Sequence, residues 1–521
     1  MAKQFTSTPQ NRPGKSAFQL NSYRLFDCDL GQLIPVLTKK MVPGDMFRIR
    51  NEILIRANPL VAPIMHEINC FVHYFFVPLR LLWPKPDYGI PGVTLDVSSW
   101  EEFFTGGVDG TLTPSKPKWI PETPAHVALH TLWDYMGHPV DVVPSGFYPD
   151  AWQKRAYNLV YNEYYRDQNY MNPVDLDSND VKRRCWEKDY FTTALPWTQR
   201  GQAPALPVTG YTEFLGAIFA SGSAGPTGRQ AFFSPGEMPS PQITLNNYSN
   251  SPIFPGESAI RGWFNNNKLE ATTFDVNDLR LAFQIQKFLE RNARAGGRYI
   301  EQLKIRYGTS PRDDRMQRPE YVGGTRTPVV VSEVLQTSQT DQSPQGTLAG
   351  HGMSVDRRRV SSYYAPEFGI LIGIMSLMPR PVYQQGIDRE WYGETRYDEL
   401  IPEFVTLGEQ PIYRAEIYAS SVEAENKTVF GFRPRYDEYR VDNNKVCGLM
   451  RSYVSENLGF WHIARQFDTP PALNAEFLEC NPRKDYLAVP SKPGWIVTCG
   501  HSIRAVRPLP FYGVPGLIDH H

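Results

Sequence analysis

His126 and His130 stand four residues apart in TPAHVALHTLWDYMG. On a helix that spacing puts two imidazoles on one face, where they could share a metal ion. The zinc-protease form of the motif also needs a glutamate beside the first histidine. Here the intervening residues are Val127, Ala128 and Leu129, so packed or surface histidines are the better reading. The acid neighbours Glu101/Glu102 and Asp313/Asp314 point to different sides of a helix or strand, which does not suit two carboxylates acting on one bond. GSAGPTG lacks the Gly-Lys-Ser/Thr of a phosphate loop, and neither a Gly-x-Ser-x-Gly elbow nor a protease-like cysteine setting occurs. No pattern calls for a cofactor, and the chain reads as a non-enzyme.

Two basic clusters remain. Lys182, Arg183 and Arg184 are followed by Trp186, and Arg357, Arg358 and Arg359 by Tyr363 and Tyr364. Basic residues beside aromatics suit single-stranded nucleic acid, where arginines meet phosphates and rings stack on bases. The competing reading is a solvated face or a salt-bridged subunit contact. The net charge of −1 over 521 residues favours that second reading, since proteins that bind by neutralising phosphates are usually basic overall.

The elements that position these groups read as sheet. Proline is frequent, 45 of 521 or about 9% against roughly 5% in average proteins, and aromatics make up 13%. Both point to a loop-rich β protein. The six cysteines are scattered without a C-x-x-C pair, as expected of reduced core thiols. Residues 1–30 are polar at the start, carry no apolar signal region and read as a flexible arm. The greasiest stretch, INCFVHYFFVPLRLLW from Ile68, is broken by polar residues and by Pro78. It is too short to span a membrane and predicts a strand over Cys70–Val77 covered on both faces. In MFRIRNEILIRA, Phe47, Ile49, Asn51, Ile53 and Ile55 alternate with Arg48, Arg50, Glu52 and Arg56, the pattern of a half-buried strand. With GQLIPVLT before them, these strands in succession favour an antiparallel sandwich.

Helices are expected over Pro124–Met136, from an N-cap at Asp150 through DAWQKRAYNLVYNEYYRD, and in DVNDLRLAFQIQKFLERNARAGG. In the last, Leu281, Ile285, Phe288 and Leu289 share one face. Residues 199–273 are dense in Gly, Pro, Ser and Asn and read as a surface insertion. The span from Ser310 to Gly352 reads as a second loop-rich region. After it come the short apolar runs FGILIGIMSLMP, EIYASSV, TVFGF and GWIVTCG.

Several stretches closely resemble the major capsid protein of the small icosahedral single-stranded DNA phages, the Microviridae, and within them the gokushovirus group. They are GQLIPV, VPGDMFRI, NPLVAPIMHEIN, FFVPLRLLW, DYFTTALPW, DLRLAFQIQKFLERNARAGGRYIE, RPEYVGGT, SPQGTLAG, YQQGIDREW, LGEQPIYRAEIY and RPLPFYGVPGLIDHH. The resemblance implies a mainly β fold, an eight-stranded antiparallel jelly roll with long loop insertions and a few helices. Residues 31–198 and 274–521 would form its two parts. It also implies a T=1 icosahedral virion of about sixty copies, assembled in the bacterial cytoplasm and enclosing a circular single-stranded DNA genome. Further implied partners are a small, separate basic DNA-binding protein, scaffolding and pilot proteins, and a host receptor met by a threefold protrusion at 199–273. If a basic cluster lines the interior, Lys182, Arg183, Arg184 and Trp186 are the first candidates. The rival reading is a jelly-roll carbohydrate-binding or hydrolytic protein, because fold alone does not fix function.

Overall fold

A computed structural model describes residues 14–83, 99–105, 114–201, 276–295, 312–313, 316–335 and 348–512. Its strands are β1 (Ser16–Gln19), β2 (Ser22–Cys28), β3 (Ile34–Met41), β4 (Met46–Ala57), β5 (Ile68–Pro78) and β6 (Glu320–Val329). They continue with β7 (Val331–Leu335), β8 (Leu348–Tyr364), β9 (Gly369–Pro379), β10 (Glu409–Tyr413), β11 (Val429–Pro434) and β12 (Trp495–Arg507).

These strands form two antiparallel sheets and a separate β10–β11 ribbon. One sheet has six strands in the order β1-β12-β4-β8-β7 with β2 also on β12, and the other has four in the order β3-β9-β5-β6. With β1 and β2 taken as one strand kinked at Leu20–Asn21, and β7 as a hairpin arm of β8, eight strands build the sandwich. Every chain step except β5 to β6 then crosses between sheets, which is jelly-roll order.

Strand patterning explains the layers. In β4 the odd residues are buried and most even ones exposed, so only one face of the six-stranded sheet is covered. The buried face carries Phe47, Ile49, Ile53 and Ile55 against Val72, Tyr74 and Phe76 of β5 and Met375 and Leu377 of β9. All eleven residues of β9 are buried, so the four-stranded sheet is covered on both sides. Its second face, with Phe75, Val77, Ile370, Ile372 and Ile374, packs under Trp119, Trp133, Trp152 and Tyr157. Each such fully buried side chain contributes about 1.5–3 kcal/mol. The covered strand expected at Cys70–Val77 is β5, and its cover is the other sheet on one face and helix and loop on the other.

Buried polar contacts also cross between the two sheets. Asn51 of β4 donates to Thr325 Oγ1 of β6 at 2.8 Å, and Tyr74 Oη of β5 lies 2.9 Å from His501 Nε2 of β12.

Several expectations are corrected. Strand pairing begins at Ser16, where β1 meets Arg507, so part of the expected arm belongs to the sheet; residues 1–13 lie outside the described residues. The helix expected over Pro124–Met136 is a 3-10 turn at Pro124–Val127 and a separate turn at Leu132–Tyr135. His130 between them is left-handed at φ 63°, and Thr131 caps the second turn. The following helix starts at Trp152 with Ala151, not Asp150, as N-cap. The span read as loop from Ser310 to Gly352 contains β6, β7 and the start of β8. The apolar run EIYASSV begins on the last residue of a 3-10 turn, Arg414–Glu416, and forms no strand.

By its internal contacts the chain divides into two units, residues 1–198 with 292–521, and Gln199–Arg291. The insertion expected over 199–273 lies outside the described residues beyond Gly201. The helix Val276–Ala295 forms as its pattern predicts, and Leu281, Ile285 and Phe288 on it are exposed. Among the described residues no helix is long and apolar enough to cross a membrane.

Candidate functional site

The first candidate segment, Lys182–Trp186, lies between the loop before β3 and the segment around Cys480. Backbone bonds hold it on both sides. Arg184 N donates to Gly31 O at 2.8 Å, Leu33 N to Lys182 O at 2.9 Å, Cys480 N to Arg184 O at 2.8 Å and Trp186 N to Leu478 O at 2.8 Å. Gly31 is required there: its φ is 81°, and a Cβ would sit 2.0 Å from Cys480 O.

The side chains of this segment face partners within the chain. Lys182 Nζ reaches Asp180 Oδ2 at 3.1 Å and Ser178 Oγ at 2.9 Å. Arg183 donates to Leu30 O and Cys480 O at 3.1 and 3.2 Å. The Arg184 guanidinium stacks on Phe71 at 4.4 Å and donates to Ser376 Oγ at 3.0 Å. Trp186 is 4% exposed, with Arg465 over its ring at 5.0 Å. These residues are together as expected, but they tie strands to loops, and the Trp186 ring is not open to a base.

A π-helical turn at Tyr161–Tyr165 carries Tyr165 beside the same group, where its hydroxyl meets His73 Nδ1 at 2.9 Å. Burial, and after it the nearby Arg184 charge, push the His73 pKa down to about 4, so this imidazole is neutral at pH 7. His126 and His130 do not converge. His126 Nδ1 faces Asn179 at 3.4 Å, whereas His130 Nε2 meets Asp27 at 3.0 Å.

A second group joins three of the sequence stretches quoted above. Glu416, 3% exposed, accepts from Tyr190 Oη at 2.9 Å, Tyr392 Oη at 2.7 Å and Tyr413 N at 2.9 Å, with Arg389 at 3.4 Å. Burial raises its pKa while these four donors work against that rise. Tyr383 donates to Asp189 Oδ2 at 2.6 Å, and a Cβ on Gly386 would meet Glu416 O at 1.9 Å. A shallow pocket beside the group is lined by Tyr190, Asp388, Glu390, Glu438 and Asp442 among others. Glu438 lies 3.7 Å from Arg389 and Asp388 pairs with Lys445. Glu416, whose carboxylate gathers four donors from separate segments, acts as a packing hub.

The uncovered face of the six-stranded sheet is signalled in the sequence by the alternation along β4. Arg48, Arg50 and Arg56 of β4 and Arg504 of β12 are exposed. None of the four has an ion pair or hydrogen bond with a described residue. The register sets Arg48 opposite Arg504 and Arg50 opposite Arg359. The second basic cluster, Arg357–Arg359, therefore lies beside the β4 arginines, which only tertiary pairing reveals.

Comparison with known proteins agrees with this architecture. Residues 8–517 match the family model described as capsid protein (F protein). The chain is 31% identical to capsid protein VP1 of Chlamydia phage 1, over 99% of this chain and 98% of that protein. It is 31% identical to capsid protein VP1 of Bdellovibrio phage phiMH2K, over 93% and 92%. It is 27% identical to capsid protein VP1 of Spiroplasma virus 4, over 94% and 93%.

Proposed function

The chain belongs to the phage capsid protein (F protein) family, and from that premise we propose how it works as a major capsid protein of the Microviridae, gokushovirus group. About sixty copies close into the simplest icosahedral shell. The shell encloses a circular single-stranded DNA genome, with a small basic protein inside and scaffolding and pilot proteins assisting assembly in the bacterial cytoplasm. The 199–273 insertion forms the exposed protrusion that meets the host.

The observation that carries this reading is the match along nearly the whole length to capsid proteins of similar size. Surface chemistry supports it. Large apolar side chains such as Phe147, Trp391 and Tyr512 are more than 70% exposed in the single chain. Aromatic residues are enriched where protein surfaces meet, and a specific interface needs on the order of 1,600 Å².

The test is to purify the recombinant chain and examine it by light scattering and negative-stain electron microscopy. Closed shells are the expected outcome. Pentamers alone would keep the capsid reading and place the missing step with a scaffold. A chain that stays monomeric at high concentration would overturn self-assembly.

A further inference from the structure

We propose that the uncovered face of the six-stranded sheet is the chain's contact for the sugar-phosphate backbone of single-stranded DNA; this rests on the capsid reading and names the surface that meets the genome. The sandwich is asymmetric. The four-stranded sheet is buried on both faces, whereas the six-stranded sheet turns its even-numbered β4 and β12 residues to solvent. The charged members of that set are mainly cationic. Arg48, Arg50, Arg56 and Arg504 are exposed, while the acids on the same strand faces are Glu52 and Asp27. Asp27 already pairs with His130, and Glu52 is engaged as well.

The arginine placement is costly for the chain alone. Arg48 stands directly opposite Arg504. Like charges directly opposite in a sheet are destabilising, and no ion pair with a described residue relieves them. A polyanion lying across the strands would do so. Successive same-face residues of a strand are about 7 Å apart and neighbouring strands about 4.8 Å apart, so the face offers a grid of cations that a flexible phosphate chain can follow.

Exposed rings border the grid on both sides. Tyr23 of β2 is 69% exposed and Tyr364 of β8 is 57% exposed, with Lys15 over the Tyr364 ring at 5.7 Å. Arginine contacts with flanking rings for stacking are the recognition chemistry of sequence-tolerant single-strand binding. A protein partner fits less well, since the centre of a protein interface is usually depleted in charge.

The test uses the full-length chain, with an oligothymidylate of about 30 nucleotides as the probe in fluorescence anisotropy over a salt titration. The variant Arg48→Ser/Arg50→Ser/Arg56→Ser/Arg504→Ser is expected to lose at least about tenfold in affinity. Its salt dependence should be shallower by about 0.7 in slope for each phosphate contact removed. The corresponding four-lysine variant should retain most of the binding. Photo-crosslinking of the bound oligonucleotide to the unmutated chain should map to the Tyr23 and Tyr364 peptides, which keeps the proposal testable if the serine variant misfolds. Unchanged binding in the serine variant, or crosslinks only elsewhere, would overturn it. So would a full loss of binding from Arg183→Ser/Arg184→Ser instead. Shell formation is scored separately by electron microscopy. An unmutated chain that stays monomeric counts against the capsid reading alone. Shells lost in the serine variant with DNA binding intact would make the face a subunit contact and overturn the inference.

Discussion

Acidification should unfold this sandwich from its core, through His501. The imidazole is 3% exposed between the sheets, with Tyr74 Oη at 2.9 Å and Cys499 Sγ at 3.9 Å. Burial first, and then the Arg24 and Lys39 charges, push its pKa down to about 4, against about 6.5 in an unfolded chain. Between those values the unfolded chain holds a proton on His501 that the folded chain does not. Stability therefore rises with pH across this window and is lost as pH falls from 6.5 toward 4; below about 4 both states are protonated and this contribution levels off. Each pH unit is worth at most about 1.4 kcal/mol, and because the unfolded chain is only half protonated at 6.5 and the folded chain begins to protonate by 4.5, that interval costs about 2 kcal/mol. That is a large share of the 5–15 kcal/mol typical of a folded domain. The assay is urea unfolding of the unassembled chain, followed by tryptophan fluorescence at a series of pH values, against His501→Gln. Glutamine keeps a hydrogen-bonding group near Tyr74 but does not titrate. Carboxylate effects are common to both proteins, so the difference between the two curves reports His501. The variant should gain on the unmutated chain by about 2 kcal/mol between pH 6.5 and 4.5. Parallel curves would refute the reasoning.

Gly31→Ala should be among the most damaging single changes, because a left-handed φ of 81° and a Cβ 2.0 Å from Cys480 O cannot both be accommodated; a yield of soluble chain equal to the unmutated protein would count against it. Arg183→Ser/Arg184→Ser removes bonds to Leu30 O, Cys480 O and Ser376 Oγ and the stack on Phe71, and should cost about 2–4 kcal/mol in denaturant unfolding while oligothymidylate affinity is retained. Glu416→Gln turns amide hydrogens toward Tyr190 and Tyr392, which now donate to the carboxylate; a loss of about 1–3 kcal/mol is expected, and an unchanged Tm would show that the hub is dispensable. Tyr74→Phe leaves His501 Nε2 without its hydroxyl partner and should cost about 1–3 kcal/mol at pH 7.5, measured by the same urea titration.

Strands whose two faces differ were legible in the sequence, and so were those that are apolar almost throughout. β4 shows its buried and exposed faces residue by residue, and β9 is an apolar run interrupted only by Ser376. β6 was missed because EYVGGTRTPV carries two glycines and a proline, poor strand formers. Its pairing with β5 supplies what local propensity lacks, and the register shifts where Gly323 lies opposite Tyr74. The helix expected over Pro124–Met136 has suitable apolar spacing. Thr131 nonetheless caps a new turn, accepting from Asp134 N at 3.5 Å, and the Trp133 indole donates to Pro139 O at 2.8 Å. Nothing local in Lys182–Trp186 shows that it bridges Gln32 on one side and Glu479 on the other; both partners are remote in sequence.

A net charge of −1 argued against nucleic acid only while charge was counted over the whole chain. A sandwich does not average its charges: period-2 strands sort them by face, and the uncovered face of this one holds unpaired arginines while many acids are spent elsewhere. Asp45 pairs with Arg507, Asp29 with Lys484, Asp177 with Arg155 and Glu416 with Arg389. These pairs cancel in the sum and project little field, because each cation sits within 4 Å of its acid. The four exposed arginines of β4 and β12 cancel against nothing described. A neutral shell protein can thus present a cationic sheet face without being basic, and the strand register, not composition, is where that charge is found.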